Sequence, residues 1–207
     1  FRIGRQIVIE PGFIESLGIE ETGQTRRQTK VSQAIKSLIQ EVPEPSEELE
    51  RLLKIRASEL VEYQNEKYAK KYLAKVGEVR KAELAVGKDS RLSEAYARYL
   101  YKLMAYKDEY EVARLHRSKD FHQAVRDQFG DKSKITYKLH PPAMRRLGLD
   151  QKIGLGRSGD LAFAVLRRMK FLRGTPLDVF GNTAHRKIER GLVDEYQELI
   201  DRVLIDL

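Results

Sequence analysis

The sequence predicts a mostly α fold: a long antiparallel helical hairpin packed with shorter helices, with at most a minor β element near 134–140. Three observations predict it. Leu92, Tyr96, Tyr99, Leu103, Tyr106, Tyr110 and Ala113 step alternately by four and three residues, which is a heptad seam. Ser46 followed by Glu47 and Glu48 places a capping oxygen and then acids at a helix start, where unpaired N–H groups and the helix dipole favour them. Only one stretch has a period of two. There Ile135, Tyr137 and Leu139 alternate with Thr136, Lys138 and His140 before Pro141-Pro142 stops the strand.

Taken in order, residues 1–9 read as the tail of a helix stopped by Pro11-Gly12, and a short amphipathic piece, Phe13 to Leu17, follows. Val31, Ile35, Leu38 and Ile39 have helical spacing up to Val42, and Pro43-Glu44-Pro45 then divides 1–42, an N-terminal helical segment, from 46–207, a helical C-terminal domain. The first arm of the hairpin runs from Ser46 to about Glu83, with Leu49, Leu52, Leu53, Leu60, Tyr63, Tyr68, Tyr72, Val76 and Val79 as its apolar stripe. Gly87-Lys88-Asp89-Ser90 is the turn, and the heptad helix is the second arm. Leu100, Met104, Val112 and Leu115 make that arm apolar on a further flank, so it should be central. Ser118 caps a short helix ending at Gly130, the strand follows, a helix spans Asp160 to Leu172, and a last helix runs from about Thr183 to Leu204.

Lys plus Arg is 39 against 31 acids, a net charge of +8. From Pro141 to Gly191 there are eleven bases and four acids, so nearly the whole surplus sits in the C-terminal third. Arg157, Arg167, Arg168 and Lys170 are the candidate anion-binding residues there. Charged residues at 34% and a mean hydropathy of −0.54 describe a soluble chain, and no apolar run approaches the roughly 20 residues of a bilayer span. The absence of cysteine removes disulfides, thiolate zinc sites and cysteine nucleophiles, and it fits a cytoplasmic protein. The chain opens Phe1-Arg2-Ile3-Gly4-Arg5 with no initiator Met or leader, as expected of a segment of a longer polypeptide.

Gly154-Leu155-Gly156-Arg157-Ser158-Gly159 fits a dinucleotide pattern, but the buried apolar strand that must precede it is replaced by the polar Leu149 to Ile153. It reads as a glycine loop before a helix. His185 and Glu189 share a helix face, and two ligands do not make a metal site. Lys107, Asp108, Glu109, Tyr110, Glu111 and Arg114 continue the heptad seam with charge, including Lys107 to Glu111 at i, i+4. Some of these charges should therefore be partly buried and mutually neutralised. They are candidate interface residues.

The run Lys102 to Leu115 closely resembles the one that marks the C-terminal region of the large, single-chain indolepyruvate ferredoxin oxidoreductase family. Leu172-Arg173-Gly174-Thr175-Pro176-Leu177-Asp178-Val179-Phe180-Gly181, with Thr183-Ala184 and Glu189-Arg190, resembles a second signature of that region. Phe1-Arg2 with Gly4-Arg5, the Tyr63 to Tyr72 stretch and Leu139-His140-Pro141-Pro142 are similar as well. The family resemblance implies a parent enzyme that oxidatively decarboxylates 2-oxoacids of the arylpyruvate type, using thiamine diphosphate, magnesium and iron–sulfur clusters, and passes electrons to ferredoxin. None of the motifs that bind those cofactors maps onto residues here.

The expectation is therefore a segment with no catalytic, cofactor-binding or metal-ligating residue, serving interdomain docking or dimer assembly. Arg173, Asp178, Arg186, Glu189 and Arg190 join the Lys107 to Arg114 group as candidate contacts. Expected partners are other domains of the parent polypeptide, ferredoxin or a second copy, with no membrane. One alternative is a basic surface for acidic ferredoxin or the phosphates of coenzyme A. Another is a free-standing RNA-binding helical protein, suggested only by the pI of about 9.5.

Overall fold

The structure, a computed structural model, describes residues 32–132, 134–139, 153–155 and 157–207. The helix tail expected over 1–9, the piece Phe13 to Leu17, and His140-Pro141-Pro142 lie outside the described residues. What is described is mostly helical. Helices α1 (Gln33–Gln40), α2 (Glu47–Tyr63), α3 (Glu66–Val86), α4 (Arg91–Met104), α5 (Glu109–His116) and α6 (Lys119–Phe129) precede strands β1 (Tyr137–Leu139) and β2 (Ile153–Leu155). Helix α7 (Arg157–Arg168), a 3-10 turn (Met169–Leu172) and helix α8 (Ala184–Ile205) complete the order.

Each expected hairpin arm is broken once, and a side-chain cap marks each break. Asn65 is extended, and its Oδ1 accepts from the Tyr68 amide at 2.9 Å, which ends α2 and starts α3. Asp108 does the same for α5, accepting from the Glu111 amide at 2.8 Å. Ser46, Ser118 and Thr183 cap α2, α6 and α8 where the sequence placed helix starts.

The contacts fix the helix directions. Ser46 meets Glu94 and Tyr63 reaches the Tyr106 carbonyl, so α2 and α4 run parallel. Arg80 reaches Glu44, and Tyr68 reaches the Met104 carbonyl, so α3 runs against both. Tyr196 stacks on Tyr96, and Arg186 pairs with Glu109 at the far end of α4, so α8 also runs against α4. Together α2, α3, α4 and α8 form an up-down-up-down arrangement, with α5 to α7 inserted before its last member. Leu49, Leu53, Leu60, Tyr72, Val76, Tyr96 and Leu100 fill its core, and α1 adds Ile35 and Ile39. The Tyr72 hydroxyl donates to the Ala97 carbonyl at 3.0 Å, which satisfies a buried phenol.

A second, smaller core joins α5 and α7, where Ala113 and Phe163 are buried against Ile135 and Leu166. The expected strand is β1. It pairs antiparallel with β2 in the register Tyr137↔Leu155, Lys138↔Gly154 and Leu139↔Ile153. Gly154 and Leu155 of the glycine pattern are thus strand residues. Helix α7 starts at Arg157, three residues before the expected Asp160, which puts Gly159 inside the helix. A two-stranded antiparallel ribbon lacks the parallel strand–helix–strand crossover of a dinucleotide fold.

Candidate functional site: a buried charged junction

Three chain breaks converge where the two cores meet: Gln64-Asn65 between α2 and α3, Ala105 to Asp108 between α4 and α5, and the turn from Arg173 to Gly181. Breaking a helix frees carbonyls at one end and amides at the next, and charged side chains satisfy them here. Arg173 is central. Its Nε and Nη2 donate to the two Asp108 oxygens at 2.5 and 2.9 Å, and its Nη1 donates to the Tyr63 carbonyl and to Gln64 Oε1 at 2.5 and 2.8 Å. Its guanidinium carbon lies 3.7 Å from the Tyr63 ring centroid. Burial works most strongly against the Arg173 charge, but the Asp108 hydrogen bonds, together with the electrostatics of Tyr63, Asp108 and Tyr106, outweigh it and raise its pKa.

Asp178 organises the turn. Its Oδ1 accepts from the Tyr110 hydroxyl at 3.1 Å and the Gly181 amide at 2.9 Å, and its Oδ2 accepts from the Gly174 amide at 2.8 Å. Gly174 has φ of 74°, a conformation that favours glycine. Tyr110 packs edge-on against Phe180, and desolvation with the Asp178 carboxylate beside it raises its pKa.

Around this centre Arg114 holds Glu111 at 2.7 Å and also pairs with Glu62 of α2. Arg186 holds Glu189 at 2.7 Å and Glu109 at 3.5 Å, and Arg190 Nη2 donates to the Gly181 carbonyl at 2.8 Å. The candidate contacts of the two signatures, Lys107 excepted, are thereby brought into one network. Lys107 itself is exposed in the break between α4 and α5, so the expected i, i+4 pair with Glu111 does not form, and Glu111 pairs with Arg114 instead.

The four candidate anion-binding residues separate. Arg167 and Arg168 are exposed on the last turn of α7, whereas Arg157 opens that helix. Lys170 faces inward: its Nζ donates to the Glu62 carbonyl at 2.6 Å, closing the C-terminus of α2, and burial, aided by Arg173 and Arg114, lowers its pKa. Its charge is directed at a helix end. His185 lies 3.5 Å from Glu189, and among the described residues no group of three or more His, Asp or Glu is placed to hold a metal ion.

Sequence reasoning missed a second buried pair. Arg80 and Glu83 of α3 are 3% and 7% exposed. Glu83 accepts from the Leu92 and Ser93 amides at 2.8 and 3.2 Å and from the Ser93 hydroxyl. Arg80 donates to the carbonyls of Glu44 and Asp89 at 2.7 and 2.6 Å. The signal lay in the stripe itself, since both residues fall beside Val76 and Val79 on a face that continues inward.

Residues 49–207 match the model of one protein family, described as a family of unknown function, DUF6537. No curated protein and no solved structure matches the chain. No helix among the described residues is long and apolar enough to cross a membrane.

Proposed function

The chain belongs to the DUF6537 family, whose function is open, so its role must be argued from its own residues, and we propose that it is a non-catalytic docking domain. By the resemblance of its two signature runs, it is the C-terminal part of a thiamine-dependent 2-oxoacid:ferredoxin oxidoreductase. One observation carries the docking role. The charges of the junction are spent inside the chain, while the apolar residues beside them face out: Phe171, Leu177 and Val179 are 67%, 72% and 69% exposed. Leu177 and Val179 flank Asp178, whose carboxylate bonds hold the turn, so buried charge fixes the shape of an apolar edge. Leu161 and Val165 of α7, one turn apart and both more than half exposed, extend the apolar character of this region.

The residues present do not fit the iron–sulfur clusters of the parent enzyme, since the chain has no cysteine to ligate them. The reading therefore assigns oxidation and decarboxylation to other parts of the parent. The test is the native polypeptide, captured from its source with an antibody against this segment and analysed for intact mass, thiamine diphosphate and iron. A chain far above 24.0 kDa carrying both supports the reading, and a chain of about that mass carrying neither overturns it.

Arg167 and Arg168 favour a second reading, because both stay exposed on one helical turn. They form a basic patch that steers an acidic ferredoxin or grips the phosphates of coenzyme A. Reversing both charges should then flatten the salt dependence of electron transfer to ferredoxin. An unchanged salt dependence would reject this reading.

A further inference from the structure

We propose that the cleft between α3 and α8 binds an elongated organic monoanion, of the class of a medium-chain carboxylate. The proposal stands apart from the docking reading and does not depend on it. Helices α3 and α8 both pack on α4 and both run against it, so they stand as parallel walls over a floor of α4. The space between them measures about 460 Å³, within the range of small-molecule sites. Its lining runs from Tyr68 to Glu78 on α3 and from Arg190 to Gln197 on α8. At 1.5 Å of rise per residue those spans are roughly 10–15 Å long. A space of that volume drawn out over that length is narrow, which suits an extended chain better than a compact ring system.

The apolar lining selects the body of the ligand. Leu100 and Met104 of α4, Val193 of α8 and Ala74 of α3 give the cleft an aliphatic surface, and the unbranched Met104 side chain can adapt to what it covers. Tyr68 and Tyr106 also border the space. Tyr68, however, is stacked on Tyr63 with its hydroxyl on the Met104 carbonyl, and Tyr106 meets the same Tyr63 edge-on. Both rings thus already serve the junction, which leaves the aliphatic side chains as the main surface for an alkyl body.

Charge selects the head. Lys67, Lys71 and Lys75 follow one another at i, i+4 spacing along α3, and Lys71 and Lys75 line the cleft. A row of like charges costs a helix stability unless something offsets it. Lys75 is offset, by Glu78 at 2.9 Å and by Asp201 of α8 at 3.9 Å, and this bridge between the two walls closes one end of the cleft. Lys67 and Lys71 are exposed and form no ion pair among the described residues. The place for an anionic head is therefore beside Lys71, on the side towards Arg190. Asp194 borders the same stretch from α8, and its carboxylate repels a second negative charge, which favours a monoanion over a phosphate dianion. A carboxylate is singly charged at neutral pH and meets that limit.

The experiment is equilibrium dialysis of labelled octanoate against the full natural polypeptide and its variants, with octanol and inorganic phosphate as comparison ligands. Octanoate is expected to bind, octanol to bind about tenfold or more weaker for want of the charge, and phosphate not to compete. Ala74→Trp, at an exposed position on the α3 wall, should fill the cleft and abolish octanoate binding, and Gln197→Trp should do so from α8. Lys71→Glu should weaken binding about tenfold or more, whereas Lys81→Glu, on the same helix beyond the cleft, should change it by less than about twofold. Circular dichroism checks that each variant keeps its helices, and the two tryptophan exchanges stand in for each other if one does not fold. Absence of octanoate binding in the millimolar range overturns the proposal, and so does binding that a folded tryptophan variant or Lys71→Glu leaves intact. Octanol binding as tightly as octanoate, or phosphate displacing octanoate, overturns it as well. None of these outcomes touches the mass and cofactors of the captured chain, on which the docking reading is tested.

Discussion

Arg173 and Asp108 form a two-pronged ion pair, with Nε to Oδ2 at 2.5 Å and Nη2 to Oδ1 at 2.9 Å, although 65 residues separate them. Their side chains are 7% and 4% exposed. Removing one member leaves the other charged, buried and unpaired, which is the costly way to break such a pair. Asp108→Ala and Arg173→Ala should each destabilise the fold by about 3–5 kcal/mol in urea unfolding. The double variant should cost clearly less than the sum, because the first substitution has already removed the interaction. Losses under about 1 kcal/mol would mean that the pair is solvated and the junction loose.

The turn beneath that pair tolerates no added carbon at Gly181. A Cβ there would run into the Asp178 carboxylate and sit 3.0 Å from Arg190 Nη1. Gly181→Ala must push Asp178 away from the Gly174 and Gly181 amides and from the Tyr110 hydroxyl. The expected loss is about 1–3 kcal/mol. It should come with faster hydrogen exchange at Gly174 and Gly181, and unchanged protection there would reject the account of Asp178.

Helices with regular stripes were legible in the sequence, and so were the starts at Ser46, Ser118 and Thr183, because local capping chemistry and periodicity suffice for them. The breaks at Asn65 and Asp108 were not read, since the apolar spacing runs straight through both. The signal was there: Asp108-x-x-Glu111 has the spacing of a capping box, and Asn65 with Glu66 after it is a capping residue followed by an acid in the first turn. The charged junction was legible as a set of residues from the two signatures, whereas its pairing was not, because the separation from Asp108 to Arg173 carries no local signal. Lys170 shows the limit most plainly. Its charge suggested an anion partner, and only the fold reveals the helix end it closes.

His116 gives the smaller core a pH dependence. It stacks on Phe163 at 5.5 Å and meets Phe121 edge-on at 5.1 Å, and desolvation, helped by the charge of His122, lowers its pKa below 6.5. In the window between that lowered value and 6.5 the unfolded chain binds the proton more readily than the folded one. Stability contributed at this site is therefore complete above 6.5 and is lost as pH falls through the window. His116→Gln should remove that part of the slope in urea midpoints measured from neutral to mildly acidic pH, and a slope unchanged by the substitution would assign it to other groups.

Glu83 has a role usually filled by the residue before a helix. Ser90 stands at the N-cap of α4 but makes no side-chain capping bond, and the Glu83 carboxylate of α3 takes the Leu92 and Ser93 amides instead. The same carboxylate meets Arg80 at 3.3 Å, and Arg80 in turn holds the carbonyls of Glu44 and Asp89. One pair thus ties the loop before α2 and the start of α4 to a single turn of α3. Glu83→Ala removes a cap and leaves the Arg80 guanidinium buried with carbonyls alone, so the expected loss is about 3–5 kcal/mol. Glu83→Gln keeps two acceptor lone pairs for the amides and should recover part of that loss, separating the capping role from the charge. Ser90→Ala should change stability by no more than about 0.5 kcal/mol, because its hydroxyl bonds the Glu94 side chain and not an amide of the helix. A larger effect at Ser90 than at Glu83 would reverse the assignment of the α4 cap.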